Sequence, residues 1–230
     1  MSVRFNSSSG NCPTGQNDET SKRCDAYRRD TSIESQLQFV NHLLTGINTA
    51  GQGMSNAPEH GPVFVTGLQR CGTTLLMQLL CSSFCFTYPD NVVARFWEKP
   101  FVGVAVSKSL REQLGGGDKG LSFSSDYGVT QEVFDPHEFG FFWTKYFGFD
   151  PVHELDKEQL HRVDIKGLKA DLGQMEYVGG APLLFKIVPL SLNLDYVANA
   201  FPSAKFIIGD RDPLYVAQST YVGRINRYGS

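Results

Sequence analysis

Apolar residues along this chain fall into two patterns, short continuous runs and longer stretches with helical spacing. The short runs comprise residues 62–66, 183–188 and 205–210. Runs of this length that are rich in Val, Ile and Phe predict buried β-strands. In the longer stretches apolar residues recur every three or four positions, which predicts amphipathic helices. These helices are expected at about 31–47, 73–80, 100–114, 155–178 and 191–201.

The order of these elements predicts a three-layer α/β/α fold with a central, mainly parallel sheet. Residues 183–210 form a strand–helix–strand unit, and such a unit joins parallel strands through a right-handed connection. Residues 1–30 have few apolar side chains and many Ser, Asn, Thr and charged ones, so they predict a disordered or loosely packed leader. Residues 31–230 are then a single α/β domain, long enough for a substantial core.

Three further segments have a less regular pattern. Residues 84–89 predict a short strand and turn, and residues 115–136, with several Gly, Ser and Asp, predict a mobile loop. Residues 139–149 are dense in aromatic side chains. This density predicts core packing, and a wall of a ligand pocket is the alternative.

Composition excludes several classes of protein. The net charge of −3 provides no field that attracts nucleic acid or an anionic membrane. No apolar run reaches the ~18 residues that a membrane span needs, and the first residues lack the apolar core of a secretory signal. Five cysteines, an odd number, show no zinc-ligand pairing with histidines. These features favour a cytoplasmic protein that binds neither nucleic acid nor metal.

Gly67 and Gly72 bracket a tight loop between the first predicted strand and the helix that follows it. Strand, glycine loop and helix point several backbone N–H groups at an anion, with the positive end of the helix dipole behind them. The spacing of the two glycines is that of a phosphate-binding P-loop, but Thr73 stands where that motif has its lysine. A cation appears earlier, at Arg70. The loop therefore predicts an anion site that is not built for ATP with its metal.

A second turn of interest follows the strand at 205–210. Arg211 comes at the carboxyl end of that strand, where open α/β sheets bind ligands. Asp212 can cap a helix whose first residue is Pro213, and Ser219 lies two turns into that helix. A guanidinium and a hydroxyl suit a phosphate group. An ordinary helix cap with a surface ion pair is the structural alternative.

Both turns resemble the donor site of the sulfotransferases. Residues 67–76 resemble the 5′-phosphosulfate loop of that family, and residues 211–219 resemble its 3′-phosphate site. The resemblance implies a P-loop-like fold, 3′-phosphoadenosine 5′-phosphosulfate (PAPS) as donor, 3′,5′-ADP (PAP) as product, and no required metal. It also implies donor-binding roles for Arg70, Cys71, Gly72, Thr73, Thr74, Leu75, Arg211 and Ser219.

Catalytic roles follow from the same resemblance. Lys186 lies in a buried apolar run, where a lysine is costly unless it has a partner. It resembles the family lysine that points toward the donor, which implies that it stabilises the transferring sulfuryl group; a lysine reaching solvent from an edge strand is the alternative. Arg70 is the other cation expected at the reacting group.

The general base is a separate question, because Val188 stands where the cytosolic branch has its catalytic histidine. Glu98 resembles the glutamate that serves as the general base in other branches of the family, although the match needs an insertion at about 81–90. Asp90 and the adjacent pair His137 and Glu138 are the other candidates.

The sequence thus predicts sulfuryl transfer to a hydroxyl or amine of a small-molecule, carbohydrate or peptide acceptor. A degenerate nucleotide-binding homologue and a P-loop small-molecule kinase are the alternatives. The family's C-terminal basic loop does not follow before Ser230. We therefore expect a fragment, a minimal variant or a protein that has lost activity.

Overall fold

The computed structural model describes residues 23, 24, 27, 30–47, 53–114, 121–148 and 153–229. Most of the predicted leader and residues 115–120 of the predicted mobile loop lie outside these ranges. The strands are β1 (Val63–Gly67), β2 (Leu184–Lys186) and β3 (Lys205–Gly209). The helices are α1 (Thr31–Leu44), α2 (Thr73–Ser83), α3 (Pro100–Gln113), α4 (Gly140–Phe147), α5 (Lys157–His161), α6 (Ile165–Gly179), α7 (Leu194–Ala200) and α8 (Pro213–Tyr228). Short 3-10 helices form at Val93–Arg95 and Val188–Asn193.

The sheet of the described residues has the order β2–β1–β3, and both pairings are parallel. Phe64 of β1 pairs with Phe185 on one side and with Phe206 on the other. Val65 pairs with Lys186 and Ile207. Because side chains alternate along a strand, these two rows point to opposite faces of the sheet.

Each face of the sheet is covered by helices. The aromatic row packs in the larger core against α4, α6 and α7, with the Phe64 and Trp143 rings 6.4 Å apart at their centroids. The opposite face, with Val65 and Leu184, packs against Met77 of α2. This arrangement confirms the predicted α/β fold, with a parallel sheet between two helical layers. It also places Lys186 on the α2 face of the sheet.

Two of the predicted strands are shorter in the structure than the sequence indicates. β2 ends at Lys186, two residues earlier than expected, because Pro189 has no N–H for a strand ladder and lies in the 3-10 helix that follows. The strand expected at 84–89 is reduced to one bridge between Thr87 and Leu183. The Thr87 N–H donates to Pro182 O at 2.9 Å, and the Leu184 N–H donates to Thr87 O at 2.9 Å.

The aromatic segment is core, as the first of the two interpretations predicted. Phe139, Phe142, Trp143 and Phe147 are all buried in the larger cluster. The rings of Phe139 and Phe142 stack with centroids 4.6 Å apart. These rings therefore fix α4 against the sheet.

Helix α1 forms where the apolar pattern predicts it, but its apolar side chains do not form a buried face. Its apolar residues Phe39 and Leu43 are more than half exposed, whereas Asn41 is buried. The Asn41 amide donates to Arg95 O at 2.8 Å and its carbonyl accepts from the Glu98 N–H at 3.0 Å. One buried amide that satisfies two backbone groups thus joins α1 to the domain, because an unpaired backbone group there is costly.

Candidate functional site

All three strands end at the same edge of the sheet, and the candidate site is built on the segments that follow them. Gly67, the last residue of β1, has φ of 138°, and Gly72 in the loop that follows has φ of 90°. A Cβ on Gly67 would lie 2.4 Å from Gly209 O, so the loop and the end of β3 pack together only because this residue is glycine. Gly72 precedes α2, whose N-terminus points into the loop. The predicted order of strand, glycine loop and helix is therefore present, and its role in anion binding stays a prediction.

The structure brings Arg70, Arg211 and Ser219 together. Arg70 Nε donates to Ser219 Oγ at 3.0 Å, and a guanidinium nitrogen of Arg211 donates to Arg70 O at 3.0 Å. Arg70 itself has a positive φ of 69°, which is uncommon for a residue with a side chain. The loop after β1 and the helix after β3 thus form one cationic cluster, in which backbone N–H groups and a hydroxyl supply further donors.

Tyr127, which no sequence motif singled out, lies against this cluster. Its ring centroid is 5.0 Å from the Arg70 guanidinium carbon and 5.5 Å from that of Arg227, so the ring makes cation–π contacts with both arginines. Asp126 and Val129 exchange hydrogen bonds of 2.8 and 2.9 Å around the turn that contains Tyr127. The predicted loop therefore lies across the cationic cluster at this point.

The turn has a recognisable sequence signature. Tyr127 and Gly128 both have positive φ, 48° and 87°, the conformation of a tight hairpin turn. Glycine at the second position suits that turn, and Gly223 of α8 leaves room for the Tyr127 ring, since a Cβ there would lie 2.9 Å from it. The turn could be inferred from the sequence, whereas its contact with Arg70, more than fifty residues away, could not.

Lys186 is buried and has three partners. Its ammonium nitrogen donates to Thr74 Oγ1 at 2.8 Å and to Gly128 O at 3.4 Å. It also lies 2.9 Å from Glu138 Oε1, and the Lys186 side chain is only 5% exposed. The lysine therefore joins α2, the Tyr127–Gly128 turn and Glu138, which lies two residues before α4. The alternative of a lysine that reaches solvent does not fit this burial.

Glu98 does not contact these groups. Its carboxylate lies 3.3 Å from the ammonium of Lys145 on α4, which also lies 3.0 Å from Asp171 on α6. The role expected from the resemblance, that of general base, stays a prediction.

Asp90 and His137, two other candidates for the general base, both accept hydrogen bonds from neighbouring groups. Asp90 is buried and accepts from the Val92 and Val93 N–H groups, from Ser107 and from Arg111. His137 accepts the Phe139 N–H on Nδ1 at 2.8 Å, so its neutral ring carries its proton on Nε2. Both residues have structural partners.

The remaining residues that were predicted to bind the donor differ in exposure. The Cys71 thiol donates to Leu68 O at 2.6 Å, Thr73 is buried, and Leu75 is half exposed. Burial raises the pKa of the Cys81 thiol to about 12, so this cysteine stays neutral.

No group of three or more His, Cys, Asp or Glu side chains that could hold a metal occurs within the described ranges.

A cleft of about 220 Å³ opens beside the loop, between the start of α5 and the 3-10 helix after β2. Ser191 lines it and donates to Gly67 O at 3.0 Å. Asn193, also in its wall, accepts the Leu155 N–H at 2.9 Å. Neither Lys186 nor Arg70 lines this cleft, so the cationic cluster and not the cleft defines the candidate site. Among the described helices none is long and apolar enough to cross a membrane.

The fold thus combines a glycine loop after its central strand β1 with an arginine, Arg211, after the neighbouring strand β3. The family model for the sulfotransferase family matches residues 62–228, and the chain therefore belongs to that family.

Among solved structures, the chain is similar to the crystal structure of sulfotransferase STF9 from Mycobacterium avium. The identity is 16% and the TM-score 0.48, and the match covers 84% of this chain and 51% of that one. The chain thus spans about half the length of this solved sulfotransferase. No curated protein matches the chain significantly.

Proposed function

We propose that the protein transfers a sulfuryl group from PAPS to a hydroxyl or amine of its acceptor and releases PAP. The observation that carries this proposal is the hydrogen bond of 3.0 Å from Arg70 Nε to Ser219 Oγ. It joins the loop that resembles the 5′-phosphosulfate site to the helix that resembles the 3′-phosphate site. Membership of the sulfotransferase family supports the same chemistry.

The residues of the cluster suit a donor with several negative charges. Backbone N–H groups at the start of α2 and the hydroxyls of Thr73 and Thr74 surround the place for the 5′-phosphosulfate, with Arg70 beside them. Arg211 and Ser219 serve the 3′-phosphate. Guanidinium groups bind phosphate through forked, charge-assisted hydrogen bonds, so this set fits the donor without a metal.

Sulfuryl transfer is an in-line displacement in which charge develops on the leaving oxygen and on the equatorial oxygens, as in phosphoryl transfer. Positioned cations and N–H groups stabilise that charge. Lys186 bonds Thr74 Oγ1 at 2.8 Å and is thereby held at the start of α2, where the transferring group has to lie. We assign to Lys186 the stabilisation of the bridging oxygen. The base that the resemblance assigns is Glu98, whose carboxylate pairs with Lys145.

A transfer assay beside a binding measurement tests this function. Labelled sulfate transfer from PAPS is measured over sugars, phenols, steroids and peptides, and PAP and ATP are titrated by calorimetry. Transfer with PAP binding and no ATP binding supports the proposal. PAP binding without transfer to any acceptor indicates the degenerate homologue, and preferential ATP binding indicates a kinase.

Replacing Arg211 with alanine is expected to weaken PAP binding by about 10- to 100-fold and to leave the binding of 5′-AMP nearly unchanged. A hydrogen bond to a charged group contributes about 1.5–3 kcal/mol, and only PAP has the 3′-phosphate that Arg211 serves. Calorimetric titration of both nucleotides measures the difference. Arg224→Ala, which removes an exposed arginine of α8, the helix that follows Arg211, is the matched control for general loss of charge. Equal weakening of both nucleotides by Arg211→Ala would place the 3′-phosphate elsewhere.

A further inference from the structure

Glu138 places a carboxylate against Lys186, the buried lysine of the candidate site. Its Oε1 is 2.9 Å from Lys186 Nζ. The Lys186 side chain is 5% exposed and the Glu138 side chain is 42% exposed. The carboxylate therefore has one oxygen toward the lysine and an open side toward solvent, from which an acceptor can approach.

The backbone on both sides of Glu138 is fixed. The His137 N–H donates to Pro89 O at 2.8 Å, and the Phe139 N–H donates to His137 Nδ1 at 2.8 Å. The Phe139 side chain is buried in the larger core. Glu138 thus stands between two anchored residues, and its position relative to Lys186 is set by the fold and does not depend on an exposed loop.

The same geometry links Glu138 to the donor loop. Lys186 bonds both Glu138 and Thr74 Oγ1, and Thr74 belongs to the first turn of α2. A carboxylate, an ammonium and a loop hydroxyl therefore form one chain of contacts. The group that accepts a proton during transfer has to lie close to the group that stabilises the leaving oxygen, because both act on the same in-line displacement.

The carboxylates of Glu98 and Asp90 are engaged elsewhere. Glu98 pairs with Lys145 between α4 and α6, and Asp90 uses its carboxylate to cap the 3-10 helix at Val93–Arg95 and to pair with Arg111. Among the described residues, Glu138 is the one whose carboxylate lies within ion-pair distance of the Lys186 ammonium.

We propose that Glu138, and not Glu98, is the general base of the reaction; this inference rests on the proposed sulfotransferase function. As the acceptor oxygen forms its bond to sulfur, the bond between sulfur and the bridging oxygen breaks, and that oxygen stays on the phosphate of PAP. The proton of the acceptor hydroxyl passes to the carboxylate of Glu138. The Lys186 ammonium, freed from Glu138 as that carboxylate becomes neutral, stabilises the negative bridging oxygen. Atoms and charge balance without a further reactant.

The test compares Glu138→Gln with the wild type on two probe acceptors, phenol and 4-nitrophenol. Phenol is protonated at mildly alkaline pH, since its pKa is near the value of about 10 found for tyrosine, whereas 4-nitrophenol is largely ionised and needs no base. General-base catalysis contributes about 10²- to 10⁴-fold. We expect Glu138→Gln to lose at least about 100-fold in turnover with phenol and to lose less than about tenfold with 4-nitrophenol.

Two further variants make the result specific. Glu132→Gln removes an exposed carboxylate of the same segment and is expected to leave both rates unchanged. Glu98→Gln tests the competing assignment, and a loss confined to phenol in that variant would make Glu98 the base. Calorimetric titration with PAP is run on every variant to show that the donor site is intact.

The outcomes separate this inference from the proposed function. If the wild type transfers to phenol and Glu138→Gln loses turnover equally with both phenols, Glu138 only neutralises Lys186 and the inference is wrong. No loss with either phenol also contradicts it. If the wild type transfers to neither phenol, nor to any acceptor of the wider panel, the proposed activity fails and the inference fails with it.

Discussion

Replacing Lys186 with methionine is expected to lower the turnover of sulfuryl transfer by about 100- to 1,000-fold, the loss typical of removing one group that stabilises developing negative charge. PAP affinity is expected to change by less than about threefold, because PAP lacks the sulfuryl group that the lysine serves. Methionine matches the lysine side chain as far as Cε, with sulfur in place of the δ-methylene, and lacks the ammonium. Steady-state kinetics with PAPS and calorimetry with PAP measure the two quantities.

The fold should tolerate this substitution. Lys186 is buried, and a buried ammonium carries a desolvation cost that methionine does not. Its partner Glu138 is 42% exposed and can be solvated when the lysine is gone. We therefore expect an unfolding midpoint close to that of the wild type, so that a loss of turnover reports on chemistry.

Lys205→Met is the matched control for this experiment. Lys205 is an exposed lysine at the start of β3, whereas Lys186 lies at the end of β2. Both substitutions remove one positive charge from a strand of the same sheet. Equal losses of turnover and PAP affinity in Lys186→Met, or a similar loss in the control, would reject a role for Lys186 in the transition state.

Local motifs of this site could be predicted from the sequence because they depend on neighbouring residues. The glycines at 67 and 72 set the loop through their own φ angles, and Asp212 caps α8 through the Leu214 N–H two residues away. The burial of Lys186 followed from the apolar run around it. In each case the signal and the structure lie within a few positions of each other.

Contacts between distant segments could not be predicted in the same way. The 5.0 Å approach of Tyr127 to Arg70 depends on where the segment 121–136 crosses the sheet edge, which no periodicity encodes. The pairing of Glu138 with Lys186 has the same origin, so the sequence named Glu138 only as one of several candidates. The resemblance favoured Glu98, which the packing of α4 against α6 holds beside Lys145.

The orientation of α1 illustrates a second limit. A helical period of apolar residues predicts a buried face only when another element covers that face. Here Asn41 makes the contact with the domain, since its amide meets Arg95 O and the Glu98 N–H. The residue that attaches α1 to the domain is thus polar, and a method that counts only apolar positions does not identify it.

Asp90, a further candidate for the general base, forms a buried ion pair with Arg111, so we expect its replacement to have a large effect on stability. It is 1% exposed, its Oδ2 lies 2.8 Å from an Arg111 guanidinium nitrogen, and its Oδ1 accepts the Val93 N–H at 2.9 Å. Arg111 also donates to the hydroxyl of Tyr88 at 3.1 Å. Burial raises the pKa of Tyr88 to about 12, so this hydroxyl remains protonated and Asp90 is the anion that balances the arginine.

Replacing Asp90 with asparagine is therefore expected to lower the free energy of unfolding by about 3 kcal/mol, since breaking a buried ion pair leaves the other charge uncompensated. Urea unfolding at neutral pH measures the change. Glu158→Gln, which breaks the exposed pair of Glu158 and Arg162 on α5, is the control and is expected to leave the midpoint unchanged. If Asp90→Asn were as stable as the wild type but lost phenol-dependent turnover, Asp90 and not a glutamate would be the base. A stable fold with full turnover would contradict the structural role, because an isosteric amide cannot neutralise Arg111.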